Sequence, residues 1–505
     1  MSAELKPLPA PALTPPPPPP GQAAPAHAPD ALDRFGERVG ERVNPIIVKE
    51  IRQGLRTRAF WIFFSLMLFG CLVISLVAAA TTESYSNDGK GYFMAYDVCL
   101  ALVLFFVIPY SAFRSMARER EEETWVLLTL TGLGPKAILR GKMGSFMLQG
   151  GLYACAAAPF LLFSYYLNGI DLPTIVLAVA AAVTWQLFLT AVCVSMATLA
   201  ESKLVRGVLH FFTLAILLQG TGMGIGVTAG MMEGFRDFWS KDGALAFASG
   251  ILFGLGSWGV LLYEAAAARM SLLTESYARG PRIAMVVQLL GMLGFFIWGA
   301  LASNEAGVSA AGAVACSAQL MVVGLFVASD HDGMARSLWL KRPRFSLFKP
   351  GALRGFRLVM LMFAALTAVF MGLIITAKGS GKEFALVIAA PAYGALYIAL
   401  PMILARLVKA APGQRPALTR VLAIGLFVLG AGGPPLFSAL FGGDGDAPLI
   451  NILNPVVGLV NLGDEKGDAP MQLVVLWGIT LAMVLLAHEM ARKQDNPPKA
   501  VEVKG

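Results

Sequence analysis

The chain has 505 residues, of which 56% are hydrophobic and only 14% charged, and its formal net charge is +8 at pH 7. Soluble globular proteins carry about 25% charged residues, so this composition excludes an ordinary soluble domain and points to a chain largely embedded in lipid. The basic balance is not an argument for nucleic acid, because the positions of Lys and Arg follow a membrane topology.

In chain order, residues 1–40 form a Pro- and Ala-rich tail with six consecutive prolines at 15–20. Such a stretch favours polyproline II and buries no core. It holds no apolar secretory signal, so the first span is expected to direct insertion. Residues 41–58, ERVNPIIVKEIRQGLRTR, read differently. Asn44 suits a helix cap and Pro45 a first turn. Ile47, Ile51 and Leu55 recur every four residues on one face, while Lys49, Glu50, Arg52 and Arg56 lie elsewhere on the turn. The pattern predicts an amphipathic helix in the inner headgroup layer, leading into the first span.

Twelve apolar segments follow, at about 60–80, 93–113, 143–167, 173–199, 207–230, 243–264, 283–302, 307–329, 356–376, 384–405, 421–441 and 471–488. Each is near the ~20 residues that cross a ~30 Å hydrocarbon layer. With the amino terminus inside, the inner segments hold 34 of the 40 Lys and Arg residues, and this asymmetry sets orientation and an even span number. The expected fold is an all-α polytopic transmembrane bundle of about 12 spans with both termini cytoplasmic. All five cysteines fall inside spans, as small packing residues rather than a disulfide framework.

One charged interruption stands out. Residues 118–125 read REREEETW between the second and third apolar segments. No Gly or Pro occurs from Arg118 to Leu130, and then Gly132, Gly134 and Pro135 break the run. A short helix along the inner membrane surface is expected, with Trp125 and Leu128 on one face and Glu121, Glu122 and Glu123 on the other.

At these residues the chain resembles the permeases of ABC type-2 transporters. The run AREREEETWVLLTLTGLGPKAILRGK matches their first inner loop at Glu119, Arg120, Glu121, Thr124, Leu127, Leu128, Thr131, Leu133, Gly141 and Lys142. Glu123 departs from the usual Gly, and Gly132 and Gly134 from the usual Pro and Ser. Residues 44–60, NPIIVKEIRQGLRTRAF, are similar to the elbow helix that precedes the first span in that family. The resemblance covers residues 41–282 and so implies a six-span permease core at 59–282, leaving a second six-span region, 283–505, without a counterpart. It further implies docking of a separate cytoplasmic ATPase subunit at Arg118, Glu119, Arg120, Glu121, Glu122, Thr124, Trp125, Leu128, Gly141 and Lys142. The interfacial helix would contribute Asn44, Pro45, Lys49, Glu50, Arg52 and Arg56.

The expected function is that of the membrane subunit of an ATP-binding-cassette exporter in a bacterial inner membrane, moving an unidentified substrate. This chain has no GxxxxGK[ST] phosphate loop, since the stretch from Gly134 to Lys142 has the wrong spacing and is followed by Met143. ATP and Mg would sit on the partner, no cofactor on this chain, and no catalytic residue is assigned. A homodimer or a second permease subunit completes the partner list, with lipid and without nucleic acid. The glycines at 220, 222, 224, 226 and 230 give overlapping GxxxG spacings that serve internal packing or such a dimer.

The rival reading is an ion-coupled secondary transporter with 12 spans. Its only support is Asp97, an intramembrane polar candidate near the outer end of the second span, where surface hydration competes with a functional role. The four histidines are scattered, no metal site is expected, and Asp330-His331-Asp332 reads as a solvated loop. Glu264 is expected at the inner interface. Residues 330–357, with Lys341-Arg342-Pro343-Arg344, read as a topology anchor or a second docking surface. A short surface helix is expected within the outer segment 444–470.

Overall fold

The structure, a computed structural model, describes residues 45–81, 89–121, 134–199, 203–239, 243–272, 275–332, 346–408, 411, 413–441, 451–464 and 469–495. Among the described residues there is no strand, and twelve helices are long and apolar enough to cross a membrane. The chain is therefore a multi-pass helical membrane protein. The expected tail, the cap Asn44 and the cluster at 341–344 lie outside the described residues.

The short helix α1 (Pro45–Leu55) leads to the first span, α2 (Arg58–Thr81). The second span begins as α3 (Gly89–Ala101), passes through a π-helical stretch at Leu102–Val107 and ends as α4 (Ile108–Glu121). The first half continues with α5 (Pro135–Tyr166), α6 (Leu172–Ala197), α7 (Lys203–Trp239) and α8 (Ala244–Met270). The second half comprises α9 (Arg279–Ser303), α10 (Ala306–Ala328), α11 (Ala352–Thr376), α12 (Gly381–Leu407), α13 (Arg415–Phe441), the short outer helix α14 (Val457–Gly463) and α15 (Ala469–Gln494).

Helix α4 corrects one expectation. Arg118, Glu119, Arg120 and Glu121 are the last turn of the second span, not the start of a separate surface helix. Arg, Glu, Met and Ala are strong helix formers and no breaker intervenes, so the helix runs past the apolar segment. The π-helical stretch precedes Pro109, which has no N–H for the carbonyl of Phe105 and whose ring crowds it. A local i→i+5 register relieves that conflict while the helix stays continuous.

Each half has its own apolar core. One cluster runs from Ile46 to Met270 around Phe93, Tyr96, Leu104, Phe113, Tyr153 and Cys193. Others gather around α12, as at Phe356, Phe363, Phe370, Ile398 and Tyr393. Helix α12 is the axle of the second half, with 83% of its span enclosed, against 6% for α8. Its Ala- and Gly-rich sequence lets neighbours approach closely: a Cβ on Gly394 would press into the Phe363 ring at 2.5 Å. In the outer loop, Tyr393 and Tyr397 of α12 donate to the carbonyls of Ile452 and Leu453 at 2.9 Å each, so the segment before α14 is seated on the bundle.

Candidate functional site: a buried ionic joint beside the inner loop

The face that α1 buries is not quite the one its apolar spacing suggests. Ile47, Ile51 and Leu55 are half-buried, whereas Ile46 and Glu50 are fully enclosed against α5. Helix α1 lies close to α5 because glycines meet side chains from both directions. A Cβ on Gly54 would fall 2.6 Å from the Gln149 amide, and one on Gly144 would fall 3.0 Å from Ile47. Lys49, Arg52 and Arg56 remain exposed.

That packing brings Glu50 to Lys142. Lys142 is 1% exposed, and its ammonium spends all three donors inside the protein. Nζ lies 2.7 Å from Glu119 Oε1, 3.3 Å from Glu50 Oε1 and 2.9 Å from Ser115 Oγ. Three elements thus meet at one cation: the interfacial helix α1, the inner end of the second span and the start of the third. A charge buried this completely is tolerated only where it is paired and fully hydrogen-bonded. Glu50, Glu119 and Lys142 were all among the predicted site residues, but their mutual contact was not. Gly141 is likewise buried, so neither it nor Lys142 offers a surface to a partner.

On its other side, the inner loop is tied to the sixth span. Lys136 Nζ lies 2.6 Å from Glu264 Oε1, and Tyr263 Oη donates to the Lys136 carbonyl at 2.8 Å. Glu264 lies on the last two turns of α8. Residues 122–133 lie outside the described residues; the helix ends on either side of them are held by Lys142 and by the α8 tether. Of the predicted docking residues, Arg118 is exposed, Arg120 and Glu121 lie on the last turn of α4, and Glu122, Thr124, Trp125 and Leu128 lie outside the described residues.

Asp97 is more deeply placed than its position in the sequence suggests. It is 3% exposed, covered by α7, with Thr228 as its hydrogen-bonding neighbour. Among the described residues Oδ2 has no hydrogen-bond partner. In the fifth span, the glycines divide between two faces. Gly220 and Gly224 receive Leu189 and Phe105, while Gly222, Gly226 and Gly230 face open space.

The second half carries an ionic centre that sequence reasoning read as a solvated loop. Asp330 accepts from Arg282 at 3.0 Å, Tyr277 Oη at 2.8 Å and Gly351 N at 3.1 Å. Arg282, itself 1% exposed, also donates to the carbonyls of Leu347, Lys349 and Gly351 at 2.7, 2.5 and 3.0 Å. Asp332 binds Arg406 at 2.7 Å and Arg415 at 2.9 Å. Arg354 reaches Asp495 beyond α15 at 3.0 Å. Burial, followed by the charge of Asp330, pushes the Tyr277 hydroxyl above its ordinary range. The described parts of the segment 330–357 are thus held against α9, α12, α13 and α15. Among the described residues no group of three His, Cys, Asp or Glu side chains is placed to hold a metal ion.

Compared with known proteins, the chain matches no family model, no curated protein and no solved structure.

Proposed function

We propose that this chain is the membrane subunit of an ATP-binding-cassette exporter in a bacterial inner membrane, driven by ATP and Mg bound to a separate cytoplasmic subunit. The observation that carries the reading is the buried contact of Glu50 and Glu119 with Lys142. These residues belong to the two stretches on which the resemblance to type-2 permeases rests, and they form one joint at the root of the inner loop. In this reading the ATPase subunit engages residues 122–133 and the exposed end of α4. Force applied there reaches α1, α4 and α5 together through Lys142, and α8 through Lys136 and Tyr263. A joint shared by three helices is suited to biasing a bundle between two packings.

Co-purification from native membranes in mild detergent tests this. A stoichiometric ATPase is expected, released by Trp125→Ala or Glu121→Arg. Substrate movement driven by an ion gradient with no ATPase present overturns the reading. It would favour the 12-span secondary transporter, which draws support from the buried Asp97 with its Oδ2 lacking a partner among the described residues.

A further inference from the structure

Between the two halves, α8 and α9 are zipped along their outer portions and touch again at their inner ends, where Glu264 lies against Gly280. The zipper is reciprocal. Phe295 of α9 packs on Gly250 of α8, where a Cβ would lie 3.0 Å from the ring, and Phe253 of α8 lies over Gly291 of α9 so closely that a Cβ there would overlap it. Inward of Phe253 the helices carry Gly256, Ser257, Ala267 and Ala268 opposite Gly280 and Ala284, and a cleft of about 970 Å³ opens. That volume is at the upper end of the ~300–1,000 Å³ typical of ligand sites.

The cleft has a polar mouth and an apolar shaft. Lys136, Glu264, Glu275 and Arg279 line it at the inner interface, and Val260, Ile283, Val287 and Phe253 line it towards the bilayer centre. From Glu264 to Phe253 is eleven residues, about 16 Å along a helix, which matches one leaflet of a ~30 Å hydrocarbon layer. Glu264 is engaged by Lys136 and lies against Gly280. Among the described residues Glu275 and Arg279 have no ion-pair partner, and both face the cleft.

We infer that this cleft is a binding site for an inner-leaflet phospholipid whose headgroup carries both a phosphate and a primary ammonium, as in phosphatidylethanolamine. The phosphate meets Arg279 and Lys136, the ammonium meets Glu275, and one acyl chain follows the shaft as far as the Phe253–Gly291 contact. Only opposite charges side by side at the mouth distinguish this headgroup from a purely anionic one. The inference does not depend on the exporter reading, because the cleft is formed by the seam between the halves.

Native mass spectrometry of the full chain in mild detergent tests it, with phosphatidylethanolamine and phosphatidylglycerol of identical acyl chains supplied in equal amounts. Retention of phosphatidylethanolamine over phosphatidylglycerol is expected, with the preference reversed by Glu275→Lys. Gly256→Trp, at a position where an added Cβ meets nothing within 4 Å, is expected to abolish the retained lipid while gel-filtration behaviour stays unchanged. Equal or greater retention of phosphatidylglycerol by the unaltered protein overturns the inference. So does undiminished lipid in a Gly256→Trp protein that runs as a monodisperse peak.

Discussion

The two halves solve the same electrostatic problem with opposite polarity. In the first half a single cation, Lys142, is enclosed by two acids from two other helices. In the second, two acids of one loop, Asp330 and Asp332, are enclosed by Arg282, Arg406 and Arg415. The consequence lies in redundancy. Lys142 is a pivot on a flexible four-carbon stem, whereas Arg282 alone binds a carboxylate and three carbonyls with a planar guanidinium that is slow to give up its geometry. The first arrangement joins three helices; the second fastens the described parts of its own loop to the bundle.

Substitutions at five positions break or sharpen this contrast. The largest effect is expected for Arg282→Met, which strands Asp330 and three carbonyls at once. Loss of one member of a buried ion pair costs about 3–5 kcal/mol, and the melting transition in detergent should collapse or fall sharply. Lys142→Met leaves two acids of which Glu119 keeps 18% of its side chain exposed, so a smaller loss is expected, and the combined change Lys142→Met with Glu119→Gln should recover part of it. If the single and double variants melt alike, the joint is not coupled as described.

Alkaline titration tests the second ionic centre next. The Tyr277 hydroxyl is held neutral above its usual range by burial and by Asp330. An acid whose folded pKa is raised stabilises the fold below its unfolded pKa, ~10 for Tyr, and that contribution fades as pH rises beyond it. Stability should therefore decline above about pH 10, and Tyr277→Phe should flatten the decline; an unchanged slope would dispose of this assignment. The smallest effect belongs to Lys136→Ala. Its side chain is 55% exposed, and such surface pairs contribute under about 1 kcal/mol. If the chain is the exporter subunit proposed above, coupling through the sixth span should change more than the melting point, measured as stimulation of the co-purified ATPase.

The spans were legible in the sequence because an apolar run of the right length has few alternatives in lipid. Residues 41–58 were legible as a helix, yet its most buried face includes Glu50, and no hydropathy rule assigns a carboxylate to a core. The clue was present in Lys142, a cation immediately before the apolar segment at 143–167 that needs a counter-ion from somewhere. The partners of Asp332 are 74 and 83 residues away, so local reading gives its loop to solvent. The extent of α4 was missed for a different reason: hydropathy marks where lipid ends, whereas helix propensity decides where the helix ends.

The π-helical stretch at Leu102–Val107 has a consequence for aim. Such a stretch accommodates one residue beyond the α-helical complement, and each residue turns a helix by about 100°. Everything inward of it, including Ser115 and Glu119, is thereby indexed by that one residue. Removing a residue from the stretch would leave the span intact and swing Glu119 roughly a quarter-turn off Lys142. The second span thus works as a keyed shaft, and its key is cut in the middle of the membrane, far from the contact it aligns.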